Sequence, residues 1–342
     1  MKKRIGIKDV AKEAGVSIAT VSYIINKNPK ESISQETIDR VNEAIKKLNY
    51  VPNLSARSLA SNKTNLIGVV IPQTEPGKKF MFNNPFYGEF LSSVEYVART
   101  KGYHVLISGT DANQSYLEVA KKRSLDGIII VGMYDEDFYE DLKKSQIPIV
   151  LVDSYCKDHY FHSIQINDRY GGYIATKYLI EKGHRKIAYI TGMLKKGGVN
   201  DHRLLGYIDA LKEANIPFQD ECVYSGNVGY EYGIEVADLI YKRGNRETAI
   251  FCSADIMAMG VMKGLKNRGL RIPQDISIMG FDDSYISKLL DPALTTVKQD
   301  INLKGCTAAN IIIDIAENRI KGKQDVILPL EIVERESVES LI

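Results

Sequence analysis

Seven residues within one ten-residue stretch have the side chains needed to contact nucleic acid. Ser17 and Thr20 carry hydroxyls that reach phosphates, and apolar Ile18 and Ala19 suit thymine methyl groups. Ser22, Tyr23 and Asn26 complete an outward helical face, with Tyr23 able to hydrogen-bond a base edge or a phosphate. A second kind of chemistry is suggested by Asp153. It closes the apolar run Ile-Val-Leu-Val-Asp, which sets a carboxylate at the carboxyl end of a strand.

Patterns for covalent or metal chemistry are missing. The sequence has no G-x-G-x-x-G, no Walker loop, no H-E-x-x-H and no G-x-S-x-G. His104, His159, His162, His184 and His202 lack metal-ligand spacing, and His184, in a Gly-His-Arg turn, reads as structural. Cys156, Cys222, Cys252 and Cys306 are scattered with no C-x-x-C pair, which suits free thiols in a reducing compartment. An enzyme, a resident cofactor and a metal site are therefore not expected.

The elements that would present the 17–26 face are three short helices. Ile7, Val10, Ala11 and Ala14 make one apolar helical face, Gly15 breaks the helix, and Val16 plugs the turn. Ser17 is a favourable N-cap for a second helix burying Val21, Ile24 and Ile25, which stops at Asn28-Pro29. A third starts at Ser34, buries Ile38, Val41, Ile45 and Leu48, and ends at Asn49-Tyr50-Val51-Pro52. This is the helix-turn-helix plan, in which the second helix enters the major groove. A three-helix interaction module with an ordinary solvated face has the same spacing.

From Leu66 onward short apolar runs alternate with amphipathic stretches. Strands are expected at 66–71, 103–107, 127–131, 148–152, 163–166, 186–190, 248–252 and 276–280. Helices are expected over 87–101, 170–182, 203–214, 230–242 and 256–268. These are too many strands for one small sheet, so the body reads as two doubly wound α/β lobes with a cleft at the carboxyl ends of their strands.

Charge separates the two regions. Residues 1–63 hold twelve Lys/Arg against six Asp/Glu, a net +6, whereas the remainder is −4. A basic head on a mildly acidic body suggests a polyanion partner for the head alone. No run of eighteen apolar residues and no apolar segment after the basic N-terminus appear, so neither a membrane partner nor export is expected and the location reads as cytoplasmic.

The string Ile7-Lys-Asp-Val-Ala-Lys-Glu-Ala-Gly-Val-Ser-Ile-Ala-Thr-Val-Ser-Tyr-Ile-Ile-Asn26 closely resembles the headpiece of the lactose/galactose repressor family. So does Leu48-Asn-Tyr-Val-Pro-Asn-Leu-Ser-Ala-Arg-Ser-Leu59. Further similarity lies in Asn84-Pro-Phe-Tyr87, Gly183-His-Arg-Lys-Ile187, Arg203-Leu-Leu-Gly-Tyr207, Gly280-Phe-Asp-Asp283 and Leu294-Thr-Thr-Val297. The resemblance implies an all-α helix-turn-helix headpiece (1–50), a hinge helix and linker (51–63), and an α/β periplasmic-binding-protein-like body (64–342). It places a first lobe at about 64–164 and 293–324, and a second at about 165–292 and 325–342, with crossings near 165, 292 and 325.

The resemblance also implies roles. Asn53, Ser55, Ala56, Arg57 and Leu59 match a hinge helix that folds on DNA beside its dimer mate, with Leu59 as a wedge between base steps in the minor groove. By the same likeness Asp153 corresponds to a sugar-hydroxyl-binding aspartate, Arg203 opens the R-x-x-G-Y element, and Asp282 is the first aspartate of G-F-D-D. Phe86 and Tyr87 stand where an aromatic faces the ligand. Bland readings compete: Asp153 capping a turn, Asp282 holding a hinge, Phe86 in the core. Two departures stand out. Ala254 replaces a sugar-binding Asn, and the segment around Val228 lacks an aromatic, for which Tyr230 or Tyr232 would have to substitute. Lys195 and Lys196 either join Arg203 in drawing an anion or belong to a solvated loop.

The implied function is a repressor that binds near-palindromic double-stranded operator DNA as a homodimer, switched by a small-molecule effector, most simply a sugar. The C-terminus lacks leucine heptads, so a coiled-coil tetramer is not expected. Two alternatives are a catabolite-control regulator with a phosphorylated carrier protein as corepressor, and a solute-binding receptor.

Overall fold

The computed structural model describes residues 5–25, 33–51, 63–73, 80–111, 123–132, 139–155, 158, 160–244 and 247–342. The chain divides into two units, Met1–Thr64 and Asn65–Ile342.

Periodicity in the first unit becomes helices α1 (Ile7–Ala14), α2 (Ile18–Ile25) and α3 (Gln35–Leu48). Gly15 turns the chain at φ 66°, a left-handed conformation that glycine adopts without strain. Ser34 caps α3 by accepting from the Thr37 amide, and Asn49 ends it at φ 48°. Val10, Val21 and Val41, one per helix, are fully buried, and each contributes roughly 1.5–3 kcal/mol by leaving water. The Glu13–Lys47 ion pair is exposed and contributes little by comparison.

The second unit contains two six-stranded sheets. Its elements begin with β1 (Leu66–Gln73), α4 (Pro85–Thr100), β2 (His104–Asp111), β3 (Gly127–Val131), α5 (Tyr139–Lys144), β4 (Ile149–Val152) and β5 (His162–Ile166). They continue with α6 (Asp168–Glu181), β6 (Ile187–Gly192), α7 (Val199–Glu213), β7 (Val223–Gly226), α8 (Tyr230–Lys242), β8 (Ala249–Cys252), α9 (Asp255–Asn267) and β9 (Ser277–Asp282). The last are β10 (Thr295–Gln299), α10 (Ile301–Ala316), β11 (Asp325–Leu328) and β12 (Leu330–Val333). Strand orders are β11-β5-β4-β3-β1-β2 and β12-β10-β9-β8-β6-β7. All pairings are parallel except β10 with β12. Every residue of β3, β4, β6, β8 and β9 is buried, because helices cover both faces of such sheets.

Two expected lobe crossings need correction. Residues 293–324 are expected in the first lobe, but β10, at Thr295–Gln299, pairs with β9 in the second sheet, and only α10 onward packs on the first. Residues 325–342 are expected in the second lobe, but β11, at Asp325–Leu328, pairs with β5 in the first, and only β12 onward joins the second. The chain therefore crosses after β5, after β10 and after β11. Polarity hides both strands: β10 is Thr-Thr-Val-Lys-Gln and β11 is largely exposed. Thr295 and Thr296 are nevertheless fully buried, their hydroxyls bonded to the Arg335 amide and the Asp255 carboxylate.

Helix pair α6/α7 approaches unusually closely. A Cβ on Gly172 would lie 2.0 Å from the Arg203 carbonyl oxygen, and one on Gly206 would lie 1.9 Å from that of Arg169. Only glycine allows this contact, and the contact sets the height of Arg203 at one wall of the cleft.

Candidate functional site

In the first unit, Ser17 accepts a 3.0 Å hydrogen bond from the Thr20 amide, and the two hydroxyls lie 2.9 Å apart. Both side chains thus serve the N-terminus of α2 while staying near its surface. Ile18 is 44% exposed, an apolar group left in water on a small basic unit, with exposed Ala19 beside it. Ser22 and Tyr23 are half-buried further along the helix. Asn26, Asn53, Ser55, Ala56, Arg57 and Leu59 lie outside the described residues.

In the second unit, Phe86, Tyr87, Asp153, Arg203 and Asp282 all line one cleft of about 120 Å³. Asn84, Val228, Ser253, Ala254 and Gln299 complete its main contacts. Phe86 and Tyr87 come from the start of α4, where the Asn84 side chain accepts from the Phe86 amide and Pro85 opens the helix. Asp153 follows β4 and Asp282 ends β9, at φ 52° and 122°. Both are backbone conformations uncommon for a side-chain-bearing residue, a form of strain that clusters at functional sites.

A buried polar chain surrounds these carboxylates. Lys304 Nζ donates to Asp153 Oδ1 at 2.6 Å and to Gln299 Oε1, and Gln299 Nε2 donates to Asp282 Oδ1 at 2.6 Å. Lys304 is completely buried. Opposite, Arg203 Nε donates to Asp168 Oδ1 at 2.7 Å and Nη1 to the Ser253 carbonyl at 2.6 Å. The guanidinium lies 3.6 Å from the Phe281 ring centroid. Tyr155 donates to Asp168 at 2.7 Å and stacks on His202. These bonds occupy Nε and Nη1 of Arg203.

Burial dominates the electrostatics. It pushes the Asp153 carboxyl up against the opposing pull of Lys304. It raises Asp282 to about 6, although Arg203 and Gln299 favour its charged form. Burial works against the Arg203 charge as well, but Asp168 and Asp282 outweigh it and its pKa is raised. Asp255, also pushed up by burial, accepts from the Ser284 amide and from Thr296, so it fastens α9 to the β9 end rather than facing a ligand.

Packing decides three points that the sequence raised. Val228 lines the cleft whereas Tyr230 and Tyr232 pack in the second-lobe core, so neither substitutes for an aromatic there. Lys195 and Lys196 are exposed and do not line the cleft. His184 is structural, its ring nitrogens 3.0 Å from Thr248 Oγ1 and 3.1 Å from the Glu339 carbonyl oxygen. Residues missed from the sequence are Lys304, Gln299, Asp168 and Ser253. The signal for Lys304 was present: it shares a helical stripe with Ile301, Ala308, Ile311 and Ile312, all buried.

Comparison with known proteins decides the family. Residues 6–53 match the bacterial regulatory proteins of the lacI family, and residues 176–338 match a periplasmic binding protein-like domain. The chain is 35% identical over 344 residues to the HTH-type transcriptional repressor PurR of Vibrio atlanticus, covering 98% of this chain and 99% of that one. The chain belongs to the LacI family. A LacI-family relative of equal identity, 35% over 338 residues, is catabolite control protein A of Priestia megaterium, with 97% and 99% covered. Among solved LacI-type structures, the Lac repressor dimer bound to operator and the anti-inducer ONPF superposes with a TM-score of 0.83 at 27% identity, covering 98% of this chain and all of that one. The transcriptional regulator CelR–cellobiose complex gives 0.70 at 27%, with 98% and 100% covered. The protein is thus a DNA-binding transcription regulator of the LacI type, a helix-turn-helix unit joined to an effector-binding body, and the relatives it matches are regulators rather than enzymes. No described helix is long and apolar enough to cross a membrane.

Proposed function

We propose that the chain is a repressor whose effector is a small polyhydroxylated molecule, most simply a sugar, bound between the two lobes of the body. The observation that carries this reading is the convergence of Asp153, Asp282 and Arg203 on one cleft beside Phe86 and Tyr87. Carboxylates accept from sugar hydroxyls, a guanidinium edge donates to them, and an aromatic covers the apolar ring face. CelR, which matches over nearly the whole chain, is described as a cellobiose complex.

At about 120 Å³ the cleft is smaller than the roughly 300 Å³ usual for small-molecule sites. Effector entry therefore requires the lobes to part, which strains the bonds from Lys304 to Asp153 and to Gln299. Two copies of α2, presenting Ile18, Ala19, Ser22, Tyr23 and Asn26, read the half-sites of a near-palindromic operator, with Ser17 and Thr20 near phosphates. The hinge residues Asn53, Ser55, Ala56, Arg57 and Leu59 enter the minor groove. Coupling of about 1–3 kcal/mol between cleft and operator shifts DNA affinity roughly 5–150-fold. The protein works in the cytoplasm, where that DNA is.

A second reading, control by a protein corepressor, is supported by the catabolite control protein A relationship. The two separate in one experiment: thermal melting and operator anisotropy with a panel of sugars and sugar phosphates, on the parent chain and R203A. The sugar reading expects a stabilising ligand that changes operator affinity and loses both effects in R203A. A panel with no stabilising member, combined with operator affinity that responds to a phosphorylated carrier protein, replaces it with the second reading.

A further inference from the structure

The second lobe contains another cavity, of about 320 Å³, at the opposite end of its sheet from the effector cleft. Ile187 opens β6 and Glu247 stands just before β8, so this cavity meets the amino ends of the strands, whereas Ser253 and Asp282 meet the cleft from the carboxyl ends. The two sites share no lining residue.

Glu247 makes the cavity more than a packing fault. It is 4% exposed, and its Oε2 has no hydrogen-bond partner. Buried carboxylate oxygens are nearly always satisfied, because an unmade bond leaves the desolvation cost unrecovered. Two tyrosine hydroxyls share that condition among the described residues, but Glu247 is the one acidic side chain among the three. The cavity is far larger than the roughly 30 Å³ one water occupies.

The other lining groups restrict what would enter. Arg185 and Lys186 are exposed at the rim, without ion-pair partners among the described residues. Arg243 bonds to the Tyr224 hydroxyl at 2.8 Å and to the Glu221 carbonyl, and it attracts Glu247 only at longer range, without a hydrogen bond to Oε2. Ile187, Leu211 and Pro217 supply apolar wall. A plain anion would meet Glu247, and a plain cation would meet Arg185 and Lys186. A molecule carrying both charges, separated by a short apolar body, satisfies all three.

We propose that this cavity is a second ligand site for a small zwitterion of the amino-acid type. Its ammonium group donates to Glu247, its carboxylate faces Arg185 and Lys186, and its side chain lies against Ile187, Leu211 and Pro217. The site is independent of the effector cleft and does not rest on the reading of that cleft.

The test uses the full-length protein and calorimetric titration with L-phenylalanine, 3-phenylpropionate, which lacks the ammonium group, and 2-phenylethylamine, which lacks the carboxylate. Phenylalanine should bind, each single-charge analogue at least about tenfold more weakly, and E247Q should lose about tenfold in affinity for phenylalanine. Cys222 also lines the cavity, so phenylalanine should slow its alkylation by iodoacetamide and leave that of Cys306 unchanged. Should E247Q fail to fold, the analogue series and Cys222 protection decide. Absence of both heat and protection with phenylalanine, equal affinity for all three probes, or phenylalanine binding undiminished in folded E247Q overturns the proposal.

Discussion

Lys304, entirely buried, donates to Asp153 at 2.6 Å, so the partner of the cleft carboxyl is a side chain shut off from solvent. Its second bond, to Gln299, joins a helix packed on the first lobe to a strand of the second. Any effector that draws on Asp153 competes with this ammonium. The pair thereby ties the cleft carboxyl to lobe geometry.

Removing one partner of a buried pair exposes the penalty of the other. K304M should destabilise the body by about 3–5 kcal/mol in urea unfolding, and D153N combined with K304M should recover part of that loss. Stability within about 0.5 kcal/mol of the parent for K304M would show that the pair is not formed in solution.

Asp282 predicts a particular pH dependence. Its folded pKa is raised from 3.8 to about 6, so the folded state holds this proton over a range where the unfolded state has released it. The stability it contributes is present in acid and is lost as pH rises through about 6. D282N has no such proton. The melting temperature of the parent minus that of D282N should fall between pH 4 and pH 7, and a flat difference contradicts the assignment.

Gly206 tests the geometry behind Arg203. A Cβ there would sit 1.9 Å from the Arg169 carbonyl oxygen, so G206A forces α6 and α7 apart at a cost of about 1–3 kcal/mol. The Arg203–Asp168 bond, made between the same helices, should lengthen with it. The expected outcome is a folded protein with retained operator affinity and a diminished effector response; an unaltered response would detach Arg203 from the switch.

The headpiece offers a separation of cap from contact. S17A loses the bond from the Thr20 amide and should cost about 1 kcal/mol of headpiece stability. I18A and L59A should weaken operator binding while leaving effector binding intact, as followed by anisotropy and calorimetry. Unchanged operator affinity in L59A would remove the wedge role from that residue.

Much of the fold was legible because each visible element declares itself locally. Helices α1 to α3 follow from apolar spacing with Ser17, Ser34 and Asn49 at their ends, and β3, β4, β6 and β8 are apolar runs that both faces bury. Strands β10 and β11 were hidden because their residues are polar or exposed, and β11 in addition pairs with β5, more than a hundred residues away in sequence. The missing aromatic around Val228 was visible as a departure from the family pattern, yet whether Tyr230 or Tyr232 replaced it was a question of which face of α8 meets the core.

The sequence alone determined the family, the three-helix headpiece and the identity of five residues that turn out to line one cleft, since motifs and periodicities are local properties. Tertiary structure decided what neutralises those residues. Gln299 and Ser253 line the cleft, whereas Lys304 and Asp168 bond to Asp153 and Arg203 from behind its wall, and the roles of all four come from burial. A lysine in a sequence reads as a solvated charge until packing removes the water around it.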